Sequence, residues 1–140
     1  MNYYIKPFLL FILLIFSFCN KNEVDSTYLC EIPDTTDLSC EMFTSRLTEL
    51  FEEINELSTS VACTDASEWT FIGVGKDSCG NPERYIPYSK SIDTDNFICL
   101  IDKYNALSDG YYFVCFTFPY CDENEPSGVV CDNGIPTLTY

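Results

Sequence analysis

Nine cysteines in 140 residues set the tightest limit on how this chain can fold. Cysteine at that density is foreign to reducing compartments and fits a small domain stapled by disulfides. No two of them are spaced Cys-x-x-Cys, which excludes a thioredoxin-type redox pair and the common zinc knuckle. The count is odd, so one cysteine needs a different role.

The N-terminus offers that role to Cys19. Residues 1–18 carry one positive side chain, Lys6, and then an apolar run from Phe8 to Phe16. The run is short for a membrane span of about 20 residues and suits a signal-peptide core. Cys19 follows directly, then the polar residues Asn20, Lys21, Asn22 and Glu23. This arrangement resembles a bacterial lipoprotein signal, in which cleavage leaves a lipid-modified cysteine as the first mature residue. The tail after it resembles lipoproteins of the Bacteroidetes. One departure is Phe18, where a lipoprotein signal places a small residue. Ser17 preceded by Ile15 suits a conventional signal peptidase instead, and an uncleaved anchor is a third outcome. The expectation is a signal segment over 1–19 with lipidation at Cys19. It implies an outer-membrane or cell-surface location, with a soluble secreted or periplasmic protein as the alternative.

Acidic residues number 22 against 7 basic ones, a net charge of −15. Such a surface repels phosphate backbones and anionic headgroups, so no nucleic-acid partner is expected, and membrane contact is expected only through the lipid. Solubility is its plain role. The chain has no histidine, which removes Ser-His-Asp and Cys-His catalysis and every histidine-ligated metal site. No cofactor or metal is expected.

Residues 20–37 read as a linker arm, with Pro33 amid Asp and Thr. The remainder, 38–140, reads as one domain, since 46% hydrophobic and 16% aromatic residues can fill a core. A helix is expected over 38–57. Phe43, Leu47, Leu50, Phe51, Ile54 and Leu57 fall at spacings of three and four, with Asp37 or Ser39 as cap. Glu49, Glu52, Glu53 and Glu56 lie mostly off that stripe and read as a solvated face. Residues 69–74, starting at the sole tryptophan, read as a strand, with Trp69, Phe71 and Gly73 on one face. Gly73-Val74-Gly75-Lys76 lacks the spacing of a phosphate loop and reads as a bulge or turn. Cys79-Gly80-Asn81-Pro82 is a turn, and 84–88 an extended segment that Pro87 places at an edge.

Asp93-Thr94-Asp95-Asn96 lacks the twelve-position ligand pattern of a helix-loop-helix calcium site. Asp93 or Thr94 is better read as the cap of a second helix over 95–107, burying Phe97, Leu100, Ile101 and Tyr104. Ser108-Asp109-Gly110 is expected to break that helix, and 111–118 to form an aromatic strand. Asp132-Asn133-Gly134 between apolar runs predicts a C-terminal hairpin. The fold class expected is therefore α+β: a small disulfide-bonded domain, two helices packed on a short antiparallel sheet, ending in that hairpin.

Without Cys19, the cysteines Cys30, Cys40, Cys63, Cys79, Cys99, Cys115, Cys121 and Cys131 allow 105 pairings. Proximity along the chain suggests Cys63–Cys79, Cys121–Cys131, Cys99–Cys115 and Cys30–Cys40.

From Leu50 onward the chain resembles a family of small uncharacterised exported proteins, mostly Bacteroidetes lipoproteins. The resemblance rests on Cys63-Thr64-Asp65-Ala66, Trp69, Gly75, Cys79-Gly80, Pro82, Tyr85, Tyr88-Ser89, Ile92-Asp93, Phe97, Tyr104-Asn105, Cys121 and Cys131-Asp132-Asn133-Gly134. Family members tend to carry a second glycine where this chain has Asn81. The resemblance implies location and fold, with no activity to transfer. It also implies that Cys30, Cys40, Cys99 and Cys115, additional to the family pattern, pair among themselves.

Three functions follow as expectations. The first is a non-catalytic binding or structural role in the cell envelope, toward a protein or glycan partner, with Arg84, Tyr85 and Tyr88 as recognition residues. The second is inhibition of extracellular hydrolases such as proteases, through a braced Cys79–Arg84 loop presenting Arg84. The third is an enzyme running on carboxylates such as Asp65, Glu68, Asp77 or Glu83, which needs one with a raised pKa in a cleft.

Overall fold

The computed structural model describes residues 30–77, 79–115, 121 and 124–140. The signal segment, Cys19 and residues 20–29 of the arm lie outside the described residues, as do 116–118 of the expected aromatic strand.

The first helix, α1, is Cys40–Ser58. Ser39 caps it, its hydroxyl accepting the Met42 N–H at 3.3 Å, and so satisfies one of the orphan donors of the first turn. The stripe expected from the spacing points inward: Phe43 and Ile54 are fully buried, and Leu47, Leu50, Phe51 and Leu57 pack against the core. The second helix, α2, is Thr94–Cys115. The Asp93 carboxylate accepts the Asn96 N–H at 3.1 Å and caps it. Phe97, Leu100, Ile101 and Tyr104 are buried as expected.

This helix corrects the sequence reading in one important place. It runs through Ser108-Asp109-Gly110, and residues 111–115 are helical rather than a strand. Gly110 is a packing glycine, because a Cβ there would stand 3.0 Å from the Phe43 ring and 3.3 Å from Thr35. The turn signal and the close-approach signal are the same residue, and burial against α1 decides between them.

Between the helices, the chain forms a hairpin of β1 (Trp69–Val74) and β2 (Arg84–Ser89), paired antiparallel from Trp69 opposite Ser89 to Val74 opposite Arg84. A short 3-10 turn, Ala66–Glu68, leads into β1. The face carrying Ile72, Val74, Ile86 and Tyr88 meets the helices and completes the main core with Ile54, Phe97 and Leu100. The opposite face carries Trp69, Phe71, Gly73, Tyr85 and Pro87. The second hairpin, β3 (Gly128–Asp132) with β4 (Ile135–Thr139), lies against β1 and β2 in turn. It is a separate two-stranded sheet. Its connection places Asn133 and Gly134 at φ 50° and 85°, the positive-φ pair that an Asn-Gly hairpin turn demands. The molecule is α+β, with helix, hairpin, helix and hairpin in succession.

Four disulfides tie these parts together: Cys30–Cys99, Cys40–Cys115, Cys63–Cys131 and Cys79–Cys121. None is a pair expected from proximity, and the geometry says why. Cys99 and Cys115 lie on one helix, about 24 Å apart at 1.5 Å per residue, beyond the ~7 Å that a bridge tolerates. Cys63 precedes β1 and Cys79 follows it, so a six-residue strand of roughly 20 Å separates them. The helices are antiparallel, which brings Cys40 at the start of α1 to Cys115 at the end of α2, Cα atoms 5.7 Å apart. Cys30 anchors the arm on α2 through Cys99 rather than on its neighbour Cys40. Cys131 lies near the Asn133-Gly134 turn, where the Cys63 N–H donates to the Gly134 carbonyl at 2.9 Å, and so it takes Cys63 and leaves Cys121 to Cys79. Cys30, Cys40, Cys99 and Cys115 pair among themselves. Bridges closing 42 to 75 residues contribute about 4 kcal/mol each in the chain-entropy picture. They belong to an oxidising compartment. Among the described residues, no helix is long and apolar enough to cross a membrane.

Candidate functional site

The turn between β1 and β2 is built from its own acid. Asp77 is 5% exposed, and its carboxylate accepts the N–H groups of Cys79 and Asn81, both at 2.8 Å. Gly80, at φ 90°, lets the chain reverse. Asp77, Cys79 and Cys121 also bring three potential metal donors within 4.8 Å of one another. The two sulfurs are bonded to each other, however, and a disulfide has no thiolate to offer a metal.

Past this turn the chain must pass close to the end of β1. A Cβ on Gly73 would fall 2.3 Å from Pro82 Cγ, and one on Gly75 would fall 2.8 Å from a Glu83 oxygen. Gly75 stands at φ 74° and donates its N–H to Asn105 Oδ1 of α2 at 2.8 Å. Sterics on one side and α2 on the other thus fix where Glu83 and Arg84 emerge.

They emerge into a groove of about 310 Å³ between α1, α2 and the start of β2. Arg84 Nη2 donates to Glu83 Oε1 at 2.8 Å, and the Tyr112 hydroxyl donates to Glu83 Oε2 at 2.9 Å. The guanidinium lies over the Phe51 ring, 4.8 Å from its centroid. Tyr104, Ser108, Tyr111 and Tyr112 form the α2 wall, with Thr44, Leu47 and Thr48 opposite on α1. Thr44 and Thr48 donate their hydroxyl protons to the carbonyls one turn back, which leaves their oxygens as acceptors. Burial and then the carboxylate of Glu83 push the Tyr112 phenol up to about 12, so it is a proton donor at any physiological pH. Tyr104 is shifted upward by the same two causes. Burial works to lower the Arg84 pKa, but the hydrogen bond and charge of Glu83 outweigh it and raise it.

A second, smaller groove of about 200 Å³ borders the other side of this segment, lined by Pro82, Glu83, Arg84, Tyr85, Asn124 and Tyr140. Tyr85 packs edge-on against Phe71, ring centroids 5.8 Å apart.

The recognition residues expected from sequence therefore separate. Arg84, its side chain 43% exposed, and Tyr85 line the grooves. Tyr88 does not; its ring lies 4.7 Å from Phe97 in the core. The carboxylates separate as well. Asp65 and Glu68 precede β1, whereas Asp77 and Glu83 sit at the other end of the hairpin. Asp65 accepts the N–H and hydroxyl of Ser67, which lower its pKa, opposite to the raised carboxyl a glycosidase acid needs. Trp69 is buried, 6% exposed, and lines neither groove.

Sequence reasoning placed Tyr104 in the core and missed Ser108, Tyr111 and Tyr112 as groove residues. Their signal was present: 104, 108 and 111 follow a spacing of four and three, one face of a helix. Ending the helix at 107 hid it. No protein-family model, no curated protein and no solved structure matches the chain.

Proposed function

We propose that this is an exported, disulfide-bonded binding protein of the cell envelope, tethered through a lipid on Cys19, which binds its partner in the groove beside Arg84. The observation that carries the reading is the groove itself. Arg84, Glu83, Tyr104, Tyr111 and Tyr112 converge there from separate elements, held by glycines that admit no side chain. A concave site with a few fixed polar groups among rings is the usual form of a ligand site, and its volume is at the small end of the ~300–1,000 Å³ range. The role is non-catalytic in this reading, because the carboxyl group in the groove is already engaged by Arg84 and Tyr112.

The oxidising compartment indicated by four bridges supports export. The lipid anchor and the family resemblance rest on residues 1–23 and on the shared positions named above. Intact mass and membrane fractionation of the parent against Cys19→Ala test the anchor. Masses that differ by no more than the cysteine's sulfur atom, with equal membrane association of the two, contradict it.

Photo-crosslinking in whole cells tests the groove. A benzophenone amino acid is placed at Thr48, inside the groove, or at Thr137 on β4. The expected result is an adduct from Thr48 that disappears with Arg84→Ala, and none from Thr137. Equal yields at the two positions, or no adduct at either, contradict the site. Protease inhibition is not favoured, since the Arg84 side chain folds back on Phe51 and Glu83 rather than extending as an inhibitory arginine must.

A further inference from the structure

The two grooves share Glu83 and Arg84 as their dividing ridge. We infer that they form one track for a neutral oligosaccharide, lying across that ridge from the tyrosines of α2 to Tyr85 and Tyr140. The inference rests on the groove being a binding site and names what it takes.

Charge selects against the other candidates. The chain carries a net charge of −15, so an anionic ligand approaches against the field of the whole molecule. The cation that could offset this, Arg84, is matched by Glu83 at 2.8 Å. A cationic peptide is drawn by the same field, but among the described residues the one acid lining the grooves is Glu83, and both of its oxygens are already accepting hydrogen bonds. Among the described residues, the Glu83–Arg84 pair leaves the lining surface locally neutral.

That surface is rich in hydroxyls and rings. Arg84 keeps N–H donors beyond the one given to Glu83, the Thr44 and Thr48 oxygens accept, and the half-buried Tyr111 and Tyr112 add rings and hydroxyls. Sugars have the matching alternation, an apolar C–H face on a ring and a hydroxyl rim that both donates and accepts. Tyrosine serves both halves at low entropic cost. Peptides are more often gripped by strand edges or deep apolar anchors, whereas the main groove is walled by helix side chains. The second groove extends the track: Tyr140 is 75% exposed there, beside Tyr85 and Pro82. An aromatic group on each side of a polar ridge suits a chain of repeating units better than a single small molecule.

The test is a binding panel on the folded, oxidised domain: neutral glucan, mannan, xylan and chitin oligomers of increasing length, an acidic uronic-acid oligomer, and neutral and lysine-rich peptides. The expected result is binding of at least one neutral oligosaccharide, tightening with length. Arg84→Gln weakens it at least about tenfold, equivalent to 1.4 kcal/mol. Tyr140→Ala weakens long oligomers and leaves the shortest unaffected. Binding confined to acidic oligomers or to peptides, or to no member of the panel, overturns the carbohydrate assignment. So does affinity independent of length. The two readings fail separately: a Thr48 adduct in cells with no oligosaccharide binding leaves the groove and removes the sugar, whereas loss of the adduct removes the groove.

Discussion

The two ends of the β1–β2 hairpin are made of similar parts and arranged to opposite purpose. Each has a disulfide, an acidic residue and a basic one. At the Trp69 end the bridge, Asp65 and Lys90 are turned inward or onto the backbone. Cys63 is 2% exposed in its bridge, Asp65 caps the short turn, and the Lys90 amine donates to the Ser67 carbonyl at 2.7 Å. At the Arg84 end Asp77 likewise holds the turn, but the disulfide Cys79–Cys121 is on the surface, and Glu83 and Arg84 pair with each other above open grooves. One end closes the fold and the other is held open by it. The difference teaches where to look for function in a chain whose polar residues are mostly committed to turns and caps.

Removing disulfides probes the contrast most strongly. Cys63→Ser with Cys131→Ser should cost about 4 kcal/mol or more, since a bridge of this span is lost and a serine is left buried without its sulfur partner. Calorimetry should show a larger fall in Tm than for Cys79→Ser with Cys121→Ser. Mild reductant should open the exposed Cys79–Cys121 bridge first, as thiol alkylation and mass spectrometry would reveal. The reverse order would mean that the two ends are not built as described.

Gly75→Ala comes next. It forces a side chain into φ 74° and against Glu83, and we expect a loss of about 2 kcal/mol by chemical denaturation. Because Glu83 moves with it, groove binding should fall too. An alanine at Gly80, with no atom closer than 4.0 Å, should show only the backbone strain.

Tyr112 supplies a smaller, pH-dependent effect. Folding raises this phenol's pKa from about 10 in the unfolded chain to about 12. The neutral form is therefore favoured in the folded state. Its contribution is complete below pH 10 and is lost as pH climbs toward 12. The groove is open to solvent, so the effect is about 1 kcal/mol after screening. Spectrophotometric titration should find late-ionising phenols, Tyr112 and Tyr104, and Tyr112→Phe should remove one of them and flatten the stability profile over this window.

Much of the fold was legible in the sequence, and the groove only in part. Periodicity found both helix stripes, and Asn133-Gly134 found the hairpin turn, because each is set by neighbours within a few residues. Disulfide partners were not legible, since Cys40 meets Cys115 only once two helices lie antiparallel. Gly110 misled because its sequence neighbours spell a turn while its spatial neighbour, Phe43, makes it a contact point. That single misreading cost the α2 wall. Arg84 stood out as an isolated cation near tyrosines, but whether it extends or folds back on Phe51 depends on α1, more than thirty residues away.

The central claim is that the Arg84 end of the hairpin binds and the Trp69 end does not. Its most direct test compares Arg84→Ala with Lys90→Ala for affinity toward the oligosaccharide bound best by the parent, both variants first shown to melt within a few degrees of it. An exposed ion pair and ring contact contribute no more than about 1 kcal/mol to stability, so both should fold. Arg84→Ala is expected to lose at least about tenfold in affinity and Lys90→Ala to bind like the parent. Equal affinities for the two variants would contradict it.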